Sequence, residues 1–123
     1  MLVVDDDHDA LSLVREILEL AGARITTIDT GQGALDLIQA VRPSVLVADV
    51  GLPDIDGFEL VRRVRQLNDR QVRATPAIAL TAYARSEDRV KAFESGFEIH
   101  LAKPTDPAEL VAAVAAAGRR DYP

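Results

Sequence analysis

Short apolar segments alternate along the chain with longer segments in which apolar residues recur at helical spacing. Four of the five short segments are almost continuously apolar, as strands covered on both faces must be, whereas the second carries two threonines and fits a sheet edge. The alternation predicts an α/β chain with five strand–helix units around one parallel sheet. The predicted strands are Leu2–Asp5, Arg24–Ile28, Val45–Asp49, Ala77–Thr81 and Ile99–Lys103.

The longer segments carry helix-end signals. Gly22 and Gly96 predict the ends of the first and fourth helices, and Ser86, followed by two acidic residues, predicts the start of the fourth. Asp56 and Asp106 each precede a glutamate by three residues, a capping-box arrangement that predicts the starts of the third and fifth helices. The apolar stripe of the first helix consists of Leu11, Val14, Ile17, Leu18 and Ala21.

Length and composition narrow the class of protein. We expect a single domain over residues 1–123 and interpret the polar stretch Asn68–Gln71 as a surface loop. No apolar run approaches the roughly 20 residues of a membrane-spanning helix, no leader pattern opens the chain, and cysteine is absent. We therefore expect a cytoplasmic protein without membrane insertion. The net charge of −6, with no basic cluster, argues against direct nucleic-acid binding.

Polar residues follow four of the predicted strands. In a parallel sheet of this kind, ligands bind outside the carboxyl ends of the strands. The first strand ends at Asp5 and Asp6, the third at Asp49, the fourth at Thr81 and the fifth at Lys103. The sequence thus predicts three carboxylates, a hydroxyl and an ammonium at one rim of the sheet.

Each of these residues also has a purely structural explanation. The aspartates of the first strand could cap the first helix, an explanation that suits Asp7 best; Asp49 could precede a turn, Thr81 could cap a helix and Lys103 could lie in a loop. Together, however, they have the composition of a phosphoryl-accepting site. Converging carboxylates repel one another without a cation, and oxygen-only ligands favour Mg²⁺, with Mn²⁺ as the alternative, over zinc. A carboxylate nucleophile is already ionised at neutral pH and needs no general base.

Four segments in order resemble the response-regulator receiver domain of two-component signalling, across essentially the whole chain. They are Val3–Asp6, Val47–Gly57, Leu80–Ala82 and Ala102–Pro104. The resemblance implies a flavodoxin-like, doubly wound, five-stranded parallel sheet of order 2-1-3-4-5 with five helices. It also implies a switch domain that catalyses only its own phosphorylation and dephosphorylation, rather than an enzyme acting on other substrates.

The resemblance assigns roles by position. Asp49 is the implied phosphoryl acceptor; Asp6 and Asp49 are implied to bind Mg²⁺ directly, Asp5 through water, and the Gly51 carbonyl to complete the set. The peptide before Pro104 is implied to be cis and to aim the lysine. The groups implied to bind the phosphoryl oxygens are the Lys103 ammonium, the Thr81 hydroxyl and the backbone N–H groups of Val50, Gly51 and Ala82.

The implied phosphodonor is a phosphohistidine on a histidine kinase or phosphotransfer protein. The segment Ala77–Leu110 resembles receivers attached to hybrid sensor kinases, which indicates a role in a hybrid kinase or a phosphorelay. Thr81 and His100 occupy the switch positions, and a histidine, which can change its charge between pH 5 and 8, departs from the usual aromatic residue. Tyr83 is placed to modulate dephosphorylation, and His8 is expected to be solvated. We expect a monomer, or a weak homodimer through the face formed by the fourth helix, fifth strand and fifth helix.

Three other classes of function are weaker. A phosphohydrolase that uses an aspartyl phosphate needs a second acid two residues after its nucleophile, where this chain has Gly51. A nucleotide-binding module needs a glycine fingerprint after the first strand, but Gly31–Gly33 lies in another loop. An interaction domain that works without phosphorylation has no need of a complete acidic site.

Overall fold

The sheet has the predicted topology. The computed structural model describes residues 1–82 and 85–119. Within them, five parallel strands form one sheet in the order β2-β1-β3-β4-β5, which confirms the predicted order and places β2 at an edge. The strands are β1 (Leu2–Val4), β2 (Thr26–Ile28), β3 (Leu46–Asp49), β4 (Ala77–Thr81) and β5 (Ile99–Ala102).

The described residues form six helices, so the prediction of five was wrong by one short element. The helices are α1 (His8–Leu20), α2 (Gly31–Val41), α3 (Gly57–Val64), α4 (Arg70–Arg73), α5 (Ser86–Ser95) and α6 (Pro107–Arg119). The additional helix, α4, is a single turn that overlaps the end of the stretch interpreted as a loop, Asn68–Gln71. The Asp69 carboxylate accepts hydrogen bonds from the N–H groups of Gln71 (2.9 Å) and Val72 (3.2 Å), and Val72 is buried. Four residues are too few for a helical periodicity to show in the sequence.

The helix ends follow the capping signals with one exception. The carboxylates of Asp7, Asp56 and Asp106 each accept hydrogen bonds from the N–H groups of the helix that follows. Helix α5 follows Arg85, and no described side chain caps its start. Its C-cap is Gly96, whose φ of 118° is in the left-handed region that favours glycine. Aspartate caps therefore fix the starts of the two helices, α1 and α3, that follow the acidic strands.

The sheet separates two apolar layers because successive strand residues point to opposite faces. Helices α2, α3 and α5 cover one face, and α1 and α6 cover the other. In α1, Val14 and Leu18 are buried, whereas Ala21, predicted to belong to the stripe, is the exposed C-cap. None of the described helices is long and apolar enough to cross a membrane. The central strands are buried on both faces and give the residues at their ends a rigid support.

Candidate functional site

Three carboxylates meet at the carboxyl rim of β1 and β3. In the pairing of these strands Val4 lies opposite Ala48, so the next residues, Asp5 and Asp49, emerge side by side. One oxygen each of Asp5, Asp6 and Asp49 lies within 4.8 Å of the other two. Asp5 is 1% exposed and Asp49 is 9% exposed, whereas Asp6 faces solvent. The cluster is therefore buried on the sheet side and open on the solvent side.

Lys103 supplies the positive charge at this rim. It follows β5 directly, and its N–H donates to the Thr81 carbonyl at 2.7 Å. Its Nζ lies 2.7 Å from Asp5 Oδ2 and 3.5 Å from Asp49 Oδ2. The peptide joining Lys103 to Pro104 is cis, as the resemblance implied. One ammonium among three carboxylates leaves the rim with an excess of negative charge.

The pKa values of Asp49 and Lys103 reflect this crowding. Burial raises the pKa of Asp49; the charge of Lys103 opposes the rise and that of Asp5 adds to it, so the pKa lies above its usual value. Burial alone lowers the pKa of Lys103, but its hydrogen bond to Asp5 and the charges of the two carboxylates outweigh burial and raise it. The lysine thus stays charged, while the Asp49 carboxylate lacks full compensation. A further cation would favour its ionised form.

Two glycines shape the loop that follows Asp49. The N–H of Gly51 points to Asp49 Oδ1 at 3.3 Å, and a Cβ on Gly51 would lie 3.7 Å from Asp49 Oδ2, in ordinary contact. A side chain at position 51 would therefore stand beside the carboxylate, and glycine leaves this space open. A Cβ on Gly57 would lie 2.6 Å from the Asp49 carbonyl oxygen and 2.7 Å from the Val50 Cα. Only glycine fits there, which the sequence analysis did not foresee.

The predicted phosphoryl-binding groups of β3 and β4 lie at or just beyond the carboxyl ends of these strands. Thr81 is 2% exposed and, in the register of β4 and β5, lies opposite Ala102, next to Lys103. Ala82 follows β4 and is exposed. The N–H of Val50, one of the predicted donors, donates to the Leu80 carbonyl at 3.0 Å, so in this structure the β3–β4 ladder uses this group. Pairing between strands cannot be read from the local motif.

Two of the remaining predicted residues, His100 and His8, are described by the structure. His100 is half-buried on β5, and its Nε2 atom is buried without a hydrogen-bond partner among the described residues. Burial lowers the pKa of His100, the charge of Arg89 adds to this, and Asp88 opposes it. His8 is exposed, with its Nε2 3.2 Å from Asp29 Oδ2. Tyr83 lies outside the described residues.

Sequence reasoning also missed Asp54, in the loop between β3 and α3. Its two carboxylate oxygens accept hydrogen bonds from the N–H groups of Gly31 (2.9 Å) and Gln32 (2.8 Å) at the start of α2. The hydrogen bond from Gln32 is the largest of the contacts that lower the pKa of Asp54. The partner groups belong to the backbone 23 and 22 positions away, so no side-chain pattern reveals the contact.

Comparison with known proteins assigns the family. The sequence matches the response regulator receiver domain over residues 1–115. It is 50% identical over 111 residues to an uncharacterised 14.6 kDa protein of Leptolyngbya boryana, covering 90% of this chain and 83% of that protein. It is 36% identical over 122 residues to the transcriptional regulatory protein CpxR of Escherichia coli K12, covering 99% of this chain but 50% of CpxR. The chain belongs to the receiver domains of two-component response regulators.

Solved structures agree with this assignment. The receiver domain of the sensor histidine kinase PA1611 from Pseudomonas aeruginosa PAO1 superposes with a TM-score of 0.87 at 30% identity, covering 96% of this chain and 95% of that one. That structure has a magnesium ion coordinated in its active-site cleft. Receiver domains in general bind Mg²⁺ at an acidic cluster, accept a phosphoryl group on an aspartate and interact with histidine kinases or phosphotransfer proteins. The acidic cluster of this chain consists of Asp5, Asp6 and Asp49.

Proposed function

We propose that this receiver domain takes a phosphoryl group onto Asp49 from a phosphohistidine, in a Mg²⁺-dependent reaction. One observation carries the proposal: three carboxylates and one ammonium meet at the rim, and the acceptor faces the open space at Gly51. Membership of the receiver family supports the same chemistry. The donor is a histidine kinase or a histidine phosphotransfer protein.

The donor set at the rim suits Mg²⁺. All three side chains offer oxygen, and no described His or Cys joins the cluster. Both oxygens of Asp5 already have partners, the Asp7 N–H at 3.0 Å and the Lys103 ammonium at 2.7 Å, which supports a contact with the ion through water. Asp6, Asp49 and the Gly51 carbonyl would be the direct ligands. Held by these residues, a Mg²⁺ ion would neutralise charge on the phosphoryl oxygens.

The protein's own groups account for the rest of the transfer. An Asp49 carboxylate oxygen forms the new P–O bond while the P–N bond of the phosphohistidine breaks, and the electron pair of that bond leaves with the imidazole nitrogen. The Lys103 ammonium balances charge on the phosphoryl oxygens, because it lies 3.5 Å from Asp49 Oδ2. The Thr81 hydroxyl and the N–H groups of Gly51 and Ala82 bind the transferred group.

Phosphorylation acts as a switch in this proposal. It adds negative charge at the rim, Thr81 and Lys103 adjust to it, and the face formed by α5, β5 and α6 changes its affinity for partners. Val90 and Phe93, each 54% exposed on α5, give this face apolar surface for a weak homodimer or another partner. The domain catalyses only its own phosphorylation and dephosphorylation; Gly51 places no second acid beside Asp49 for hydrolysis of other substrates.

We place the domain in a hybrid kinase or phosphorelay. The resemblance of the segment Ala77–Leu110 and the likeness to the PA1611 receiver support this context, whereas CpxR, at higher identity, is a transcriptional regulator. A transfer assay separates the two contexts. A phosphorelay receiver gains phosphate from a phosphotransfer protein and returns it, whereas a receiver of a transcriptional regulator takes it from the kinase one way.

The function is tested by intact-protein mass spectrometry with acetyl phosphate. The wild type is expected to gain one phosphate mass with Mg²⁺ and none in EDTA. Asp49→Asn is expected to gain none with Mg²⁺, whereas Asp36→Asn, a change of equal charge on α2, behaves as the wild type. A wild type that gains no adduct, beside a receiver domain that does, rejects the proposal.

A further inference from the structure

The loop between β3 and α3 lies directly on the start of α2. The Asp54 carboxylate accepts hydrogen bonds from two successive α2 amides, Gly31 at 2.9 Å and Gln32 at 2.8 Å. A Cβ on Gly31 would lie 2.5 Å from Ile55 Cγ1 and 2.7 Å from the Ile55 carbonyl oxygen. The start of α2 and the loop are thus packed too closely for a side chain at position 31, and the Asp54 carboxylate connects them by hydrogen bonds.

The ends of this loop are fixed by other contacts. At its start, the Val50 N–H donates to the Leu80 carbonyl; at its end, the Gly57 N–H donates to the Val50 carbonyl, both at 3.0 Å. Leu52 is buried. Among the described residues, Asp54 makes the hydrogen bonds that tie the middle of the loop to another element. Gly51, whose N–H points to Asp49 Oδ1 and whose carbonyl is a proposed Mg²⁺ ligand, lies between the fixed start and this tie.

We propose that Asp54 is a positioning residue for phosphoryl transfer, which holds the acceptor loop on α2 so that the Gly51 peptide keeps its orientation beside Asp49. The inference rests on the proposed function of Asp49. Charge-assisted hydrogen bonds to the free amides at a helix N-terminus are stronger than neutral ones and fix direction as well as distance. If the Gly51 backbone is displaced by a fraction of an ångström, its N–H is poorly placed for the phosphoryl group and its carbonyl is poorly placed for the cation.

The test compares Asp54→Ala with Asp36→Ala. Both remove one negative charge, but Asp36 lies in the middle of α2 and, among the described residues, accepts only from the side chain of Gln32, so no backbone amide is freed. Asp54→Ala is expected to lower the rate constant for phosphorylation by acetyl phosphate at saturating Mg²⁺ about tenfold, within the range that misplacement of reacting groups can cause. It also weakens Mg²⁺ binding in calorimetric titration and shifts the Gly51 amide resonance. Asp36→Ala stays within about twofold of the wild type.

The outcomes separate this inference from the proposed function. If Asp54→Ala melts at a lower temperature but keeps wild-type phosphorylation, Mg²⁺ affinity and Gly51 resonance, Asp54 is only a helix cap and the inference is wrong. If Asp54→Ala does not fold, Asp54→Asn decides, because it loses the charge and one of the two acceptor oxygens that the inference requires. A wild-type rate and Mg²⁺ affinity in this variant would overturn the inference. A wild type that takes no phosphate rejects the proposed function instead, while the titration and the resonance still report on Asp54.

Discussion

The two ends of the sheet hold charged groups in opposite ways. At the amino end, the Arg65 guanidinium donates to the Glu98 carboxylate at 2.9 Å and to three backbone carbonyls, and Glu98 accepts in turn from the Ala77 N–H at 2.5 Å. The three carbonyls are those of Arg73 (2.9 Å), Thr75 (2.6 Å) and Gly96 (2.7 Å). At the carboxyl end, three carboxylates lie together, and one ammonium contacts two of them, Asp5 and Asp49.

The difference separates a compensated charge pair from an acidic cluster with too little positive charge. One cation faces one anion at the amino end, and both side chains are about three-quarters buried. The hydrogen bonds of these two side chains connect α3, α5, β4 and β5. Because the two charges compensate each other, this pair needs no ligand to neutralise it. The carboxyl rim keeps uncompensated negative charge and a raised pKa at Asp49, which is the arrangement expected where a cation and a phosphoryl group bind. Removing one cation from each end tests this contrast.

Lys103→Met is expected to have the largest effect. It keeps the aliphatic stem but removes the ammonium that lies 3.5 Å from Asp49, so the rate constant for phosphorylation falls about a hundredfold. Mg²⁺ affinity does not fall, because a competing positive charge is removed. Initial rates with acetyl phosphate and a calorimetric Mg²⁺ titration measure the two effects. Lys91→Met, at the other lysine of the chain, serves as the control, and a Lys103→Met rate within fivefold of the wild type would contradict the assigned role.

Arg65→Met is expected to act on stability alone. Glu98 Oε1 and three carbonyls lose the Arg65 donor, which lowers the free energy of unfolding by about 2 kcal/mol. The melting temperature falls by roughly 6–12 °C for a domain of this size. Arg62→Met, which breaks an exposed ion pair with Glu59, changes stability by about 0.5 kcal/mol or less. Thermal melts measure these values. If the phosphorylation rate of Arg65→Met at 15 °C fell more than about threefold, Arg65 would act on the site as well as on stability, and the contrast between the two ends would be wrong.

The two ends also differ in how far the sequence predicted them. Strands in one parallel sheet end at a common rim, so Asp5, Asp49 and Lys103 could be placed together from their positions alone. Arg65 could not be paired with Glu98, because 33 residues separate them and most partners of the arginine are carbonyls at turns and helix ends. The helix amides bound by Asp54, like the β-ladder that occupies the Val50 N–H, involve backbone groups of distant segments.

Asp6→Asn is expected to have a smaller effect, of opposite sign, at the carboxyl rim. Two charges at this separation repel by about 1 kcal/mol in water, so removing one raises the free energy of unfolding in EDTA by roughly 0.5–1 kcal/mol. The same change removes a proposed ligand and weakens Mg²⁺ binding at least about tenfold. Melts in EDTA and a Mg²⁺ titration test both. Asp9→Asn, in the first turn of α1, is the control and does not stabilise, because an acid there favours the helix. An Asp6→Asn protein less stable in EDTA would mean that the carboxylates do not repel.

His100 lies on β5 between the two ends and has the smallest expected effect. Its pKa is lowered from 6.5, first by burial and then by Arg89, against the opposing charge of Asp88, and its Nε2 has no partner among the described residues. A base with a lowered pKa binds fewer protons in the folded than in the unfolded state, so stability falls as the pH drops below 6.5 towards the lowered pKa. His100→Phe removes this contribution and flattens the decline.

The expected difference between the wild-type and His100→Phe stability curves is less than about 1 kcal/mol, because the half-buried ring remains partly screened by solvent. Chemical denaturation at pH 7.5, 6.5 and 5.5 in EDTA measures it, and the titration of the carboxylates, common to both proteins, cancels in the comparison. Parallel curves across this range would show that protonation of His100 costs the folded state nothing. The buried nitrogen would then have a hydrogen-bonding partner in solution, and the middle of β5 would resemble the fully paired amino end rather than the carboxyl rim.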